Sequence, residues 1–84
     1  MYVIIQHSIN SPDRFWEIVK GVTSFPPGMT LHATLPSSDG KKAVCIWEAP
    51  SVDSVRDLVD SAVGTFSSNE YFEVSEKDAV GLPN

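Results

Sequence analysis

Two histidines, one cysteine and a scatter of carboxylates carry whatever chemistry this chain of 84 residues can do. His32 stands in Thr30-Leu-His-Ala-Thr-Leu, where apolar and polar residues alternate, and His7 near the end of Met1-Tyr-Val-Ile-Ile-Gln-His-Ser. A neutral imidazole in a semi-apolar cleft can ligate a metal or take a proton near neutral pH, so His32 and His7 are the candidate catalytic residues. The plainer reading of each is a strand residue: His32 bonded to a backbone or threonine oxygen at a cleft edge, His7 a polar residue where its strand meets solvent. Glu48 joins the two histidines as a candidate metal ligand. That set is thin, because a transition metal wants several His, Cys or carboxylate groups converging, and the chain has neither an H-x-x-x-H pattern nor a cysteine pair. Trp47, Thr34 and Tyr71 complete a candidate ligand cavity with His32. Aromatic rings can wall a planar ligand, although strand aromatics at a subunit seam more often simply pack. Cys45 fits a reducing compartment and a role as a small apolar strand residue, since no cationic neighbour marks it as reactive. Ser8 and Ser11 lack the His-Asp partners of a nucleophile, and no glycine loop suggests phosphate binding.

Six elements must position these residues. Met1 to Ser8 is β-branched and aromatic and reads as a strand. Ser11-Pro12-Asp13 then supplies an N-cap hydroxyl, a proline suited to the first helical position and a carboxylate for the positive helix end. Phe15, Ile18, Val19 and Val22 follow at helical spacing, with Trp16 beside the stripe to cover a sheet edge or a partner, and Phe25-Pro26-Pro27-Gly28 ends the helix. Met29 to Leu35 alternates as a half-buried strand, Asp39-Gly40 is a hairpin turn signal, and Ala43 to Glu48 is the return strand. Pro50-Ser51-Val52-Asp53 caps a second helix whose apolar stripe runs from Val52 to Phe66, leaving Asp57 and Asp60 on its wet face. Glu70 to Ser75 makes the last strand. The order β-α-β-β-α-β predicts a ferredoxin-like α+β fold: a four-stranded antiparallel sheet with both helices on one face. One domain is expected over residues 1–78, with 79–84 a loose tail.

The hairpin register decides which groups share a face. A two-residue loop at Asp39-Gly40 puts His32 opposite Trp47 and Thr34 opposite Cys45, with Leu31, Ala33, Leu35, Val44 and Ile46 in the helix-side core. A three-residue loop with Gly40 left-handed puts His32 on the face of Val44, Ile46 and Glu48. The first separates apolar from mixed residues more cleanly. In both, His32 is opposite in parity to Leu31 and Leu35 and faces away from the helices. The inner strands do not alternate as a sheet with one wet face should: Val3 and Ile5 oppose Tyr2 and Ile4, and Val44 and Ile46 oppose Cys45 and Trp47. Two apolar faces predict a homodimer, sheet against sheet, enclosing a cavity.

The formal charge of −5, with only six basic residues, argues against nucleic acid, whose binding needs clustered Lys and Arg. Val3-Ile4-Ile5 is too short to span a membrane or form a signal-peptide core, so the expected location is cytoplasmic.

Length, element order and the doubly apolar sheet resemble the dimeric α/β-barrel superfamily of ferredoxin-like proteins. Within it, Leu31-His32, the Ser37-Ser38-Asp39-Gly40 turn, Cys45 and the run Glu48 to Arg56 are similar to small domains of unknown function that include nickel-binding members. Nickel or another transition metal is what that resemblance implies as a cofactor. The superfamily also holds cofactor-free monooxygenases and muconolactone-isomerase-like enzymes, and fold does not choose among them. Three functions follow as expectations. The first is a homodimeric protein taking a small molecule or metal ion in the inter-sheet cavity. The second is a cofactor-independent monooxygenase- or isomerase-like enzyme using a cavity histidine, and the third a purely structural dimer.

Overall fold

The structure, a computed structural model, describes residues 1–81; of the tail expected to be loose, the last three residues lie outside the described ones. Its elements are β1 (Tyr2–Ile9), α1 (Pro12–Gly21), β2 (Thr30–Pro36), β3 (Lys42–Glu48), α2 (Val52–Val63) and β4 (Ser67–Val74). The strands form one antiparallel sheet in the order β2-β3-β1-β4, the ferredoxin-like α+β arrangement that two right-handed crossovers produce. No helix among the described residues is long and apolar enough to cross a membrane.

Local chemistry accounts for the helix ends. Ser51 caps α2 through its Oγ, which accepts from the Ser54 backbone N–H at 3.0 Å. Ser11 precedes α1 without a side-chain cap bond, and Pro12 with its fixed φ starts that helix instead. α1 stops at Gly21, so Val22 lies beyond it and is exposed. α2 stops at Val63, leaving Phe66 in the connection to β4, and β4 begins three residues earlier than its aromatic run suggests.

The core sits between the helices and one sheet face. Val3, Ile5, Ile9, Phe15, Ala43, Cys45, Trp47, Val55, Val59 and Val63 are buried there. This corrects the expected faces: Trp47, Cys45 and Thr34 look toward the helices, whereas Val44, Ile46, Ala33 and Leu35 lie on the open side. The hairpin pairing follows the two-residue frame as far as Ala33, with Thr34 opposite Cys45 and Leu35 opposite Val44. The tip is wider than expected, with Ser37 N–H bonded to the Lys42 carbonyl at 2.8 Å and Gly40 at φ +74°. Then the register slips. Leu31, not His32, faces Trp47, and His32 is the extra residue of a β-bulge. Leu31 thereby turns into the core with Trp47 while Leu35 does not.

Trp47 and Tyr2 are only 4% and 7% exposed within the single chain, so neither needs a mate to leave water. What the open face does present is Ile4, Val44, Ile46 and Ala33, half-buried, beside Leu35 and Phe72, exposed.

Candidate functional site

The expected site residues divide between the two faces of the sheet. On the open face the bulge aims His32 at Glu48: imidazole Nε2 lies 3.0 Å from Glu48 Oε1. The Tyr2 ring lies beside the imidazole, with centroids 5.5 Å apart and planes at 30°. Burial, and the charges of Glu48 and Glu76, push the Tyr2 phenol above its ordinary value. His32 thus sits between a carboxylate and an aromatic ring, partly screened from solvent. His7 lies on the other face and cannot join it. Among the described residues no three His, Cys, Asp or Glu come together as a metal cluster.

On the helix side, one polar residue from each strand falls into a row across the sheet. His7 of β1, opposite both Ala43 and Asn69 in the ladder, is 4% exposed. Its Nδ1 lies 2.6 Å from Asn69 Oδ1 of β4, and its Nε2 3.2 Å from Cys45 Sγ of β3. Cys45 Sγ in turn is 3.5 Å from Thr34 Oγ1 of β2. The row is anchored on α2. Asn69 Nδ2 donates to Asp60 Oδ1 at 3.2 Å, and the Tyr71 hydroxyl donates to the same oxygen. With the amide nitrogen committed to Asp60, Asn69 presents its carbonyl oxygen to His7, so Nδ1 carries the imidazole proton and Nε2 faces the thiol as acceptor.

Connected this way, Cys45, His7 and Asn69 have the order of a nucleophile, a base and a group that orients the base. The electrostatics oppose that use. Burial holds His7 below its ordinary value, more than its bond to Asn69 and the charge of Asp60 restore. Burial also pushes the Cys45 thiol up. A thiolate–imidazolium pair is thus disfavoured at both ends, and the row is a neutral network that resists charge. Burial, followed by the Asp60 carboxylate, likewise raises the Tyr71 phenol far above its ordinary range.

His7, Cys45 and Thr34 of this row floor a cavity of about 110 Å³ between sheet and helices. Its walls are Ile18 and Val19 of α1, Val22 and Phe25 beyond it, and Leu58, Val59, Ala62 and Val63 of α2, with Leu31 and Trp47 closing the sheet side. Phe25 stands edge-on to Trp47, with ring centroids 5.0 Å apart. The cavity is almost wholly apolar. Trp47, one of its lining residues, has its indole Nε1–H buried with no hydrogen-bond partner among the described residues. Trp16, by contrast, donates its indole N–H to the Gly40 carbonyl at 3.1 Å, covering the hairpin tip.

Of the expected ligand-cavity residues, Trp47 and Thr34 line this space. Tyr71 packs beside it on the same face, and His32 lies on the other. His7, expected at a solvent edge, is in the cavity floor. Asn69 and Asp60 escaped sequence reasoning. The signal available was the two-residue spacing of Asn69 and Tyr71, which puts both on the strand face that meets α2. Comparison with protein-family models, with curated proteins and with solved structures returned no match.

Proposed function

We propose that this chain is a small-molecule-binding protein without catalysis of its own, that it works as a homodimer of the α/β-barrel kind, and that each chain takes its ligand between helices and sheet. One observation carries the binding reading: an almost wholly apolar cavity of about 110 Å³ between the helices and the sheet, the kind of concave apolar site that small molecules occupy. The pairing is supported by the open face, where Ile4, Val44, Ile46, Leu35 and Phe72 form a continuous apolar surface of the type that marks an interface.

The binding test is methyl NMR with xenon as the probe. Saturable shifts confined to Val19, Leu58, Val59 and Leu31 are expected, and their absence under xenon pressure refutes the cavity. For the pairing, light scattering at micromolar concentration should report a two-chain particle.

A second reading has its own support in the His32–Glu48 pair, which in a dimer would face the inter-sheet space. There it could act as the base of a cofactor-independent monooxygenase- or isomerase-like enzyme, or offer the first two ligands to nickel or another transition metal, the mate supplying more. Titration with nickel, zinc and copper, together with oxygen uptake on a panel of quinols, tests both forms. Binding or turnover lost in His32→Ala would favour this reading over the first.

A further inference from the structure

We infer that a second copy of this chain covers the open face with its strands antiparallel to those beneath it, so that Lys42 of each chain reaches Glu48 of the other and brings a cation to the His32–Glu48 pair. The inference rests on the pairing proposed above and fixes how the two copies meet.

The observation that carries it is the pattern along β3. This inner strand pairs with β1 without a bulge, so Lys42, Val44, Ile46 and Glu48 all project from the face turned away from the helices. The row runs cation, apolar, apolar, anion, and it complements itself when reversed. Among the described strands Lys42 is the only Lys or Arg. No carboxylate of the described residues forms an ion pair with it, and the Glu48 side chain, although bonded to His32, stays 49% exposed.

A homodimer closes about a two-fold axis, and two sheets face to face allow that axis to run along the strands or across them. Along the strands, between β3 and β1, the ladder would set Lys42 over Ser8 and Val44 over Gln6. Like charges would then gather at each end of the interface. Across the strands, at the level of Cys45, each strand lies on its own reversed copy. Lys42 then falls over Glu48, Val44 over Ile46, and, through the β2–β3 register, Leu35 over Ala33. Every charge of β3 meets its opposite and every apolar side chain meets another, so complementarity selects this arrangement. Packed sheets stand about 10 Å apart and cross at about 30°, and the flexible lysine stem spans the gap and absorbs the offset. In a chain of formal charge −5, two such pairs also relieve part of the repulsion between copies.

The test is charge reversal read by sedimentation equilibrium, with circular dichroism showing that each variant is folded. Lys42→Glu should weaken the dimer at least about tenfold. Lys41→Glu, the same change of charge in the hairpin turn outside β3, should leave it nearly as it was. Adding Glu48→Lys to Lys42→Glu exchanges the two signs and should recover most of the lost association; failure to recover it overturns the inference. In a half-labelled dimer, isotope-filtered spectra should show Val44 methyls against Ile46 methyls of the other copy. Contacts between the two Ile46 and Ile4 side chains in their place would put the axis along the strands and overturn the inference too. A two-chain particle indifferent to Lys42→Glu removes the orientation and leaves the pairing standing. A wild-type particle of one chain at micromolar concentration removes both.

Discussion

Replacing His7 by leucine separates what this buried imidazole contributes as a neutral group from what it costs as a titrating one. Two hydrogen bonds disappear: the one to Asn69 Oδ1 at 2.6 Å and the one with Cys45 Sγ at 3.2 Å. Neither partner is orphaned. Asn69 Oδ1 still accepts from Ser67 Oγ at 2.8 Å, and Cys45 still has Thr34 Oγ1 within 3.5 Å. The loss is thus two net hydrogen bonds of about 0.5–1.5 kcal/mol each, partly offset by the apolar surface leucine buries, or about 1–2 kcal/mol at pH 8. Acid changes the balance. Burial sets the folded-state pKa of His7 below its ordinary value, which for an unfolded chain is about 6.5. Above that pH both states hold a neutral imidazole, and stability does not depend on it. As pH falls below about 6.5 the unfolded chain takes a proton that the folded chain refuses. Wild-type stability then drops by up to about 1.4 kcal/mol per pH unit until the folded pKa is reached. His7→Leu has no such decline, so its deficit should shrink steadily between pH 6.5 and 5. Urea unfolding followed by tryptophan fluorescence at fixed protein concentration, repeated at half-unit pH steps, measures the difference. A deficit that stays constant or widens with acid would mean that the imidazole is not held neutral, and the reading of the polar row would fail.

Ser51→Ala should cost about 1 kcal/mol, because its hydroxyl holds the Ser54 N–H, whereas Ser11→Ala, at the matching position with no side-chain cap bond, should change urea stability little. Gly40→Ala places a side chain at φ +74° and should destabilise by about 1 kcal/mol, measured in the same way. Ile46→Lys on the open face should give a folded single-chain particle in light scattering with an unchanged circular dichroism spectrum; a two-chain particle would remove this face as the interface.

Element order was readable because each signal is local. Pro12 after Ser11, the Ser51 cap, the Asp39-Gly40 turn and the paired prolines at 26 and 27 act within a few residues of themselves, and the structure keeps all six elements. The faces were not readable, for a reason that lies in β3. Val44 and Ile46 oppose Cys45 and Trp47, so both sides are apolar and period two cannot say which meets the helices. The decision then rested on Leu31 and Leu35 sharing a side, and the bulge at His32 breaks that link. An inserted residue of this kind leaves no compositional trace. It also explains why His32 still faces away from the helices although the parity argument behind that expectation no longer holds.

The site followed the same division. Candidate residues were identified by type, yet their grouping depends on a face assignment that one bulged residue reverses. Physical cost shows where function concentrates. An 84-residue domain has little stability to spare, and four polar side chains across its sheet are a liability unless each is met. The row from Asn69 through His7 and Cys45 to Thr34 meets that condition internally and is tied to α2 through Asp60. It fixes the strands and the helix against one another without asking for a ligand. Trp47 does not meet it: its ring packs in full, and its one polar atom is left without a partner. Local conflicts of this sort collect at functional positions. Among the buried side-chain groups described, that indole N–H is the one the fold leaves unmet.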